Sequence, residues 1–142
     1  MEGSIIFLWV LTLFFWGSSP LLEKVALKTV PPLLALALRT GIAALILILA
    51  LLFTGEVRGI RELSLKEVLV LGASGLLAGV LGMFTYFSLL KTGAASKIVP
   101  LTAAYPLVTA LMALLFLKEH LHWERLLGII LTVTGLVILQ KS

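Results

Sequence analysis

The chain has 142 residues, 61% hydrophobic and 13% charged, with a net charge of +4 and a mean hydropathy of +1.18. Soluble domains run at about 45–50% apolar and about 25% charged residues, and a soluble fold of this composition would expose apolar patches of a size that soluble monomers rarely show. Cysteine, aspartate and asparagine are all absent, which excludes disulfides, thiolate metal sites, cysteine nucleophiles, Asp-based triads, EF-hand loops and Asn-linked glycosylation.

A helix needs roughly 20 apolar residues to cross a hydrocarbon core about 30 Å thick. The first span is predicted over about residues 4–22, where Ile5 to Leu22 carries no charge. The opening Met1-Glu2-Gly3-Ser4 lacks a basic leader region and no small-residue cleavage site follows, so the segment reads as a retained helix. Trp16-Gly17-Ser18-Ser19-Pro20 is expected to interrupt it, because a proline inside a helix removes a backbone hydrogen bond. Glu23 and Lys24 lie just beyond and become partly buried only if the helix continues through Val25-Ala26-Leu27.

The second span is predicted over about 32–53 and holds Arg39, the one ionisable residue well inside an apolar segment. An intramembrane charge is costly unless paired or hydrated, which makes it a functional candidate. Arg39 suits an anionic group such as a carboxylate; the bland reading is that it snorkels or satisfies carbonyls freed by a nearby break. The third span, about 67–90, carries Gly72, Gly75, Gly79 and Gly82 at spacings that align on one stripe of a regular helix, with Tyr86 continuing it. Such small residues let another backbone approach, so a packing seam is favoured over a solute-facing surface.

The fourth span, about 96–117, contains Pro100 and Pro106. Irregular backbone at membrane depth is tolerated only inside protein or beside a water-filled cavity, which nominates helices one and four to line a pathway. The fifth, about 123–140, is short; Trp123 at one interface and Lys141 snorkelling at the other extend it to a span. Gly128, Thr132 and Gly135 share one of its faces, fit for packing within the chain or for a dimer contact. The expected fold is thus all-α and integral to the membrane, a bundle of five transmembrane helices forming a single domain over residues 1–142.

The links between spans are short and hold nearly all the charges, leaving no room for a soluble domain. Glu119-His120-Leu121-His122-Trp123-Glu124 is rich in possible ligands, but a basic-aromatic interface loop accounts for it better than a metal site. No metal, cofactor or catalytic residue is expected, and no nucleotide-binding G-x-x-x-x-G-K-[ST] loop occurs. The basic residues lie between apolar spans with no clustered face, which argues against nucleic acid and for lipid headgroups as their neighbours. Arg58, Arg61, Lys66, Lys118 and Arg125 fall on one side of the membrane, and Lys24, Lys28, Lys91, Lys97 and Lys141 on the other. Lysine and arginine excess normally marks the cytoplasmic side, so this even split permits insertion in both orientations and an antiparallel homodimer.

These residues resemble a known pattern. Trp16-Gly17, Lys24 and the Arg39-Thr-Gly-Ile-Ala-Ala run look like the start of an EamA-like repeat of the drug/metabolite transporter superfamily. Tyr86-Phe87-Ser88-Leu89-Leu90-Lys91, Gly93-Ala94-Ala95-Ser96, Pro106, Leu117-Lys118-Glu119 and Gly128 through Gly135-Leu136-Val137 follow in the order and spacing of that repeat. The resemblance covers essentially the whole chain and implies a five-helix repeat that pairs with an inverted copy to complete a pathway. It implies transport of small metabolites through a central cavity, with Trp16, Lys24, Arg39, Tyr86 and Ser96 at positions near it; Tyr105, beside Pro106, is added on its own chemistry. The related small multidrug transporters use a glutamate within helix one, where this chain has Ser18, Ser19 and Pro20, so proton-coupled cation export is disfavoured. The expectation is a secondary transporter in a prokaryotic cell membrane, for an anionic or zwitterionic solute; the alternatives are a non-transporting structural subunit and a component of a lipid-linked sugar flippase.

Overall fold

The computed structural model describes residues 3–116 and 122–141, almost all of them helical. The chain divides into two compact units, Met1–Thr92 and Gly93–Ser142. Four helical stretches are long and apolar enough to cross a membrane, namely Gly3–Ala26, Pro32–Thr54, Leu65–Thr92 and Ala95–Phe116. The fifth predicted segment is helical over Trp123–Lys141, and its apolar part, Leu126–Ile138, is shorter than the other four.

In the first unit, helix α1 spans Gly3–Ala26 without interruption and keeps Pro20 inside it. The break expected at Trp16 to Pro20 does not form. Proline's fixed φ is itself helical, so its cost is the one missing N–H and the crowding of the preceding turn, and surrounding apolar contacts tolerate that here. After α1 the chain unwinds over one more turn, with Leu27 N donating to Glu23 O at 2.9 Å and Val30 N to Ala26 O at 3.0 Å. Pro31 is extended and Pro32 opens α2, Pro32–Thr54, where a missing N–H costs nothing. Gly55 closes α2 in the left-handed region, with φ of 77°, a conformation that glycine adopts without strain. A 3-10 turn over Glu56–Glu62 follows.

The third span starts with a reciprocal cap. Ser64 Oγ accepts from Glu67 N at 3.2 Å, and Ser64 N donates to Glu67 Oε2 at 2.8 Å. It then runs as α3 (Leu65–Ser74), a π-wound segment (Gly75–Gly82) and α4 (Met83–Thr92). The wider winding through Gly75–Gly82 was not expected from the regular helical spacing of the glycines. A Cβ added at Gly82 would come 3.1 Å from the Leu77 carbonyl oxygen, so the winding itself favours glycine there. At Gly72, Gly75 and Gly79 an added Cβ would meet no atom of the described residues within 4 Å.

The first unit closes at one corner. Leu27, Leu36, Phe87 and Leu90 are buried there together with Pro20, where α4 packs against α1 and α2. Two lysines lace this corner to backbone carbonyls. Lys24 Nζ donates to Leu90 O at 2.6 Å and to Lys91 O at 3.3 Å, and Lys91 Nζ donates to Val30 O at 3.2 Å. The last carbonyls of a helix have no partner within it, and lipid offers none; Lys24 supplies one for the end of α4.

In the second unit, α5 spans Ala95–Thr102, α6 Tyr105–Phe116 and α7 Trp123–Lys141, and α5 packs against α7. The predicted irregularity of the fourth span is present, as a turn at Ala103 and Ala104 between α5 and α6. It falls where Pro106 cannot donate to the carbonyl of Thr102, and Leu107 N turns instead to Ala104 O at 2.9 Å. Pro100 stays inside α5. Added Cβ atoms at Gly128 and Gly135 of α7 would meet nothing within 4 Å among the described residues.

Two substitutions test the corner. Phe87→Ala is expected to lower the unfolding free energy in detergent by about 3 kcal/mol, whereas Phe53→Ala, at a ring 89% exposed, is expected to change it by no more than about 0.5 kcal/mol. Lys24→Met keeps the apolar stem and removes the ammonium, and is expected to cost about 2 kcal/mol. Reversible unfolding in mixed micelles followed by circular dichroism measures all three.

Candidate functional site

The site grows from the length of α1. Because the helix runs on past Pro20 to Ala26, Glu23 lies one turn along from Ser19 on the same face and is drawn into the corner. Its side chain is only 9% exposed. A carboxylate in such a position requires hydrogen bonds and a counter-charge. Ser19 Oγ donates to Glu23 Oε1 at 2.8 Å, and Arg39 Nε, from the second turn of α2, lies 3.4 Å from the same oxygen. The Arg39 guanidinium also lies over the Phe87 ring, 5.9 Å from its centroid, a cation–π arrangement that anchors it to α4. The Arg39 side chain is 48% exposed, so the pair has one nearly buried member and one half-open member.

Around this pair is a cleft of about 330 Å³, lined by Ser19, Leu22, Glu23, Ala26, Val30, Ala35, Leu38, Arg39 and Phe87. Its walls are apolar apart from one hydroxyl, one carboxylate and one guanidinium. That is the composition of a small-molecule site, where apolar area covers the ligand's body and a few polar groups fix its orientation.

The residues singled out from sequence fall in different places. Arg39 lines the cleft. Tyr86 is half-buried next to the cleft-lining Phe87 in the chain, with its ring 6.1 Å from that of Phe87, and is not itself on the cleft wall. Lys24 is not on the cleft wall; its ammonium is held on the carbonyls of Leu90 and Lys91. Trp16 is 70% exposed on α1 and does not line the cleft. Ser96, exposed in the first turn of α5, and Tyr105, exposed at the start of α6, belong to the second unit. Of the ligand-rich loop, Glu119 to Leu121 lie outside the described residues, as do Leu117 and Lys118.

Sequence reasoning missed Ser19, Glu23 and Phe87 as members of the site. The four-residue spacing of Ser19 and Glu23 was the available signal for the first two. The expected break at Pro20 obscured it, by placing those residues on different segments. The partner of Glu23 is Arg39, sixteen residues on and one span away.

Comparison with known proteins agrees with this architecture. An uncharacterized protein of Methanocaldococcus jannaschii is 40% identical over 48 residues, a stretch that covers 34% of this chain and 35% of that protein. The chain therefore spans about a third of the length of the curated relative it matches. No solved structure gives a significant match. The sequence model of the EamA-like transporter family matches residues 3–140, through both compact units. The chain belongs to the EamA-like transporter family, a family of multi-pass membrane proteins within the drug/metabolite transporter superfamily.

Proposed function

We propose that this protein is a secondary transporter of small anionic or zwitterionic metabolites, working by alternating access as an antiparallel homodimer in a prokaryotic cell membrane. The observation that carries the reading is the Arg39 guanidinium on the wall of an otherwise largely apolar cleft, in a chain of a transporter family. A guanidinium presents a planar fork that matches a carboxylate. Leu22, Ala26, Val30, Ala35, Leu38 and Phe87 offer cover for a solute's apolar body. Tyr86 then lies at the edge of the solute site, and Lys24 acts by positioning, since it holds the end of α4 against α1.

The homodimer is supported by the flanking charges. Arg58, Arg61, Lys66, Lys118 and Arg125 balance Lys24, Lys28, Lys91, Lys97 and Lys141 once α7 is counted as the fifth span, and balanced flanks remove the bias that fixes orientation. An inverted copy alongside the first reproduces the inverted repeats from which many secondary transporters are built. Trp16 and Ser96 are assigned to the pathway on the family resemblance, and Tyr105 on its own chemistry beside Pro106. Gly72, Gly75, Gly79, Gly128 and Gly135, where an added Cβ meets no described neighbour, offer surfaces for close approach of the second copy.

Uptake of a broad panel of labelled metabolites into proteoliposomes tests the reading. Gradient-driven or counterflow uptake of an anionic or zwitterionic solute is expected, and Arg39→Gln is expected to slow it by about tenfold or more, equivalent to about 1.4 kcal/mol. An unchanged rate in a correctly folded Arg39→Gln variant would remove Arg39 from the site. Terminal tags probed in right-side-out and inside-out vesicles are expected to be accessible on both faces in comparable amounts, and a single orientation would rule out the inverted pair.

A further inference from the structure

The pair at the centre of the cleft uses only part of what each member can bind. Arg39 approaches Glu23 through Nε, at 3.4 Å, longer than an ordinary N–H···O bond. The contact is therefore mainly one of charge. Among the described residues the terminal nitrogens of Arg39 make no hydrogen bond, and their face contact is with the Phe87 ring. On Glu23, Oε1 takes both Ser19 and Arg39, while Oε2 takes none. One cleft thus holds a guanidinium with its two-pronged edge unused and, beside it, a nearly buried carboxylate with an oxygen to spare.

We infer that Glu23 is the second pole of the solute site and sets its charge specificity, taking the ammonium group of a zwitterion whose carboxylate sits on Arg39. This rests on the transporter reading above and adds to it a residue and a rule of selection. A solute carrying only a carboxylate, docked on the outer edge of Arg39, would stand close to the Glu23 carboxylate, and like-charge repulsion would cancel much of the attraction. A solute carrying only an ammonium group meets the same difficulty with Arg39. A zwitterion supplies an opposite charge to each and leaves the net charge of the cleft unchanged, so neither Glu23 nor Arg39 is orphaned on binding or on release. The two charges of the site are adjacent, as are those of an α-ammonium carboxylate, and the apolar wall of Leu22, Leu38 and Phe87 receives the rest of the molecule.

Binding to the full chain in an uncharged maltoside detergent provides the test, with L-leucine and L-phenylalanine as probes, each beside its des-amino and des-carboxy analogue. The wild-type protein is expected to bind at least one of the two zwitterions about tenfold or more tighter than either of its analogues, because an unpaired polar group in the site penalises a ligand that lacks the matching charge. Glu23→Gln keeps the side-chain shape and removes the repelling charge. It is expected to bring the des-amino analogue to within about threefold of the zwitterion by tightening the analogue, while Arg39→Gln weakens every carboxylate. Retention of the full preference in Glu23→Gln overturns the inference, as does a wild-type protein that binds neither zwitterion or binds the des-amino analogue equally well. The wild-type comparison stands even if Glu23→Gln fails to fold. Uptake of other solutes by a wild-type protein with no such preference sinks this inference alone; the absence of any uptake sinks the transporter reading itself.

Discussion

The end of a helix inside a membrane leaves carbonyls that neither the helix nor lipid can satisfy, and the first unit is organised around how α4 meets that constraint. Its last turn gives the carbonyls of Leu90 and Lys91 to the ammonium of Lys24, which reaches across from the last turn of α1. Lys91 returns the arrangement by donating to Val30 O, in the turn that leads into α2. Two lysines thereby tie the end of α1, the start of α2 and the end of α4 into one corner. The buried Leu27, Leu36, Phe87 and Leu90 fill it. The constraint propagates: α1 must stay helical through Pro20 for Lys24 to reach, and that continuation carries Glu23 inward. A nearly buried carboxylate then needs a counter-charge, and Arg39 is the residue that α2 offers.

This chain of requirements explains the unequal exposure of the pair. Breaking a buried ion pair by removing one partner is costly, whereas the net contribution of an intact pair is small. Glu23 has Ser19 and Arg39 on one oxygen and little water, so its position depends on Arg39. Arg39, half-open and lying over Phe87, depends less on Glu23. The asymmetry suits a binding site better than a structural bridge, because the more accessible member is the one with unused donors.

How much of this was legible in sequence depended on whether the governing physics is local. The spans were legible from the apolar runs themselves, since lipid demands length and uncharged composition residue by residue, and the start of α2 was legible from the Pro31-Pro32 pair. The break before Pro106 was readable because a missing N–H acts on its own helix. Pro20 misled, because whether a proline breaks a helix depends on what packs around it and holds its far side, here the buried corner and Lys24 bonded to Leu90, sixty-six positions away. The π winding over Gly75–Gly82 was invisible for the opposite reason: glycine tolerates wide and regular winding alike, so its spacing could not choose between them. Arg39 stood out as the lone charge in an apolar run, but the identity of its partner required the third dimension.

Of the two readings of Arg39 that sequence left open, snorkelling has a direct geometric expression, and the proposed solute binding is compatible with it. Both α1 and α2 meet the short turn at Leu27 to Pro31, so the distance of each residue along its helix can be counted from that turn. Glu23 lies three residues before the end of α1, and Arg39 seven residues after the start of α2, a difference of four residues, or about 6 Å at 1.5 Å per residue. An arginine side chain spans that distance when it extends toward the membrane surface, which is the direction in which snorkelling takes it. Arg39 therefore reaches Glu23 by snorkelling. The same reach brings the guanidinium into the cleft, toward the interface rather than at the midplane, where, on the proposed function, a solute arriving from water would meet it before leaving its hydration shell entirely. A charge buried at the depth of the Arg39 backbone would demand full desolvation of its ligand; one carried a turn higher does not.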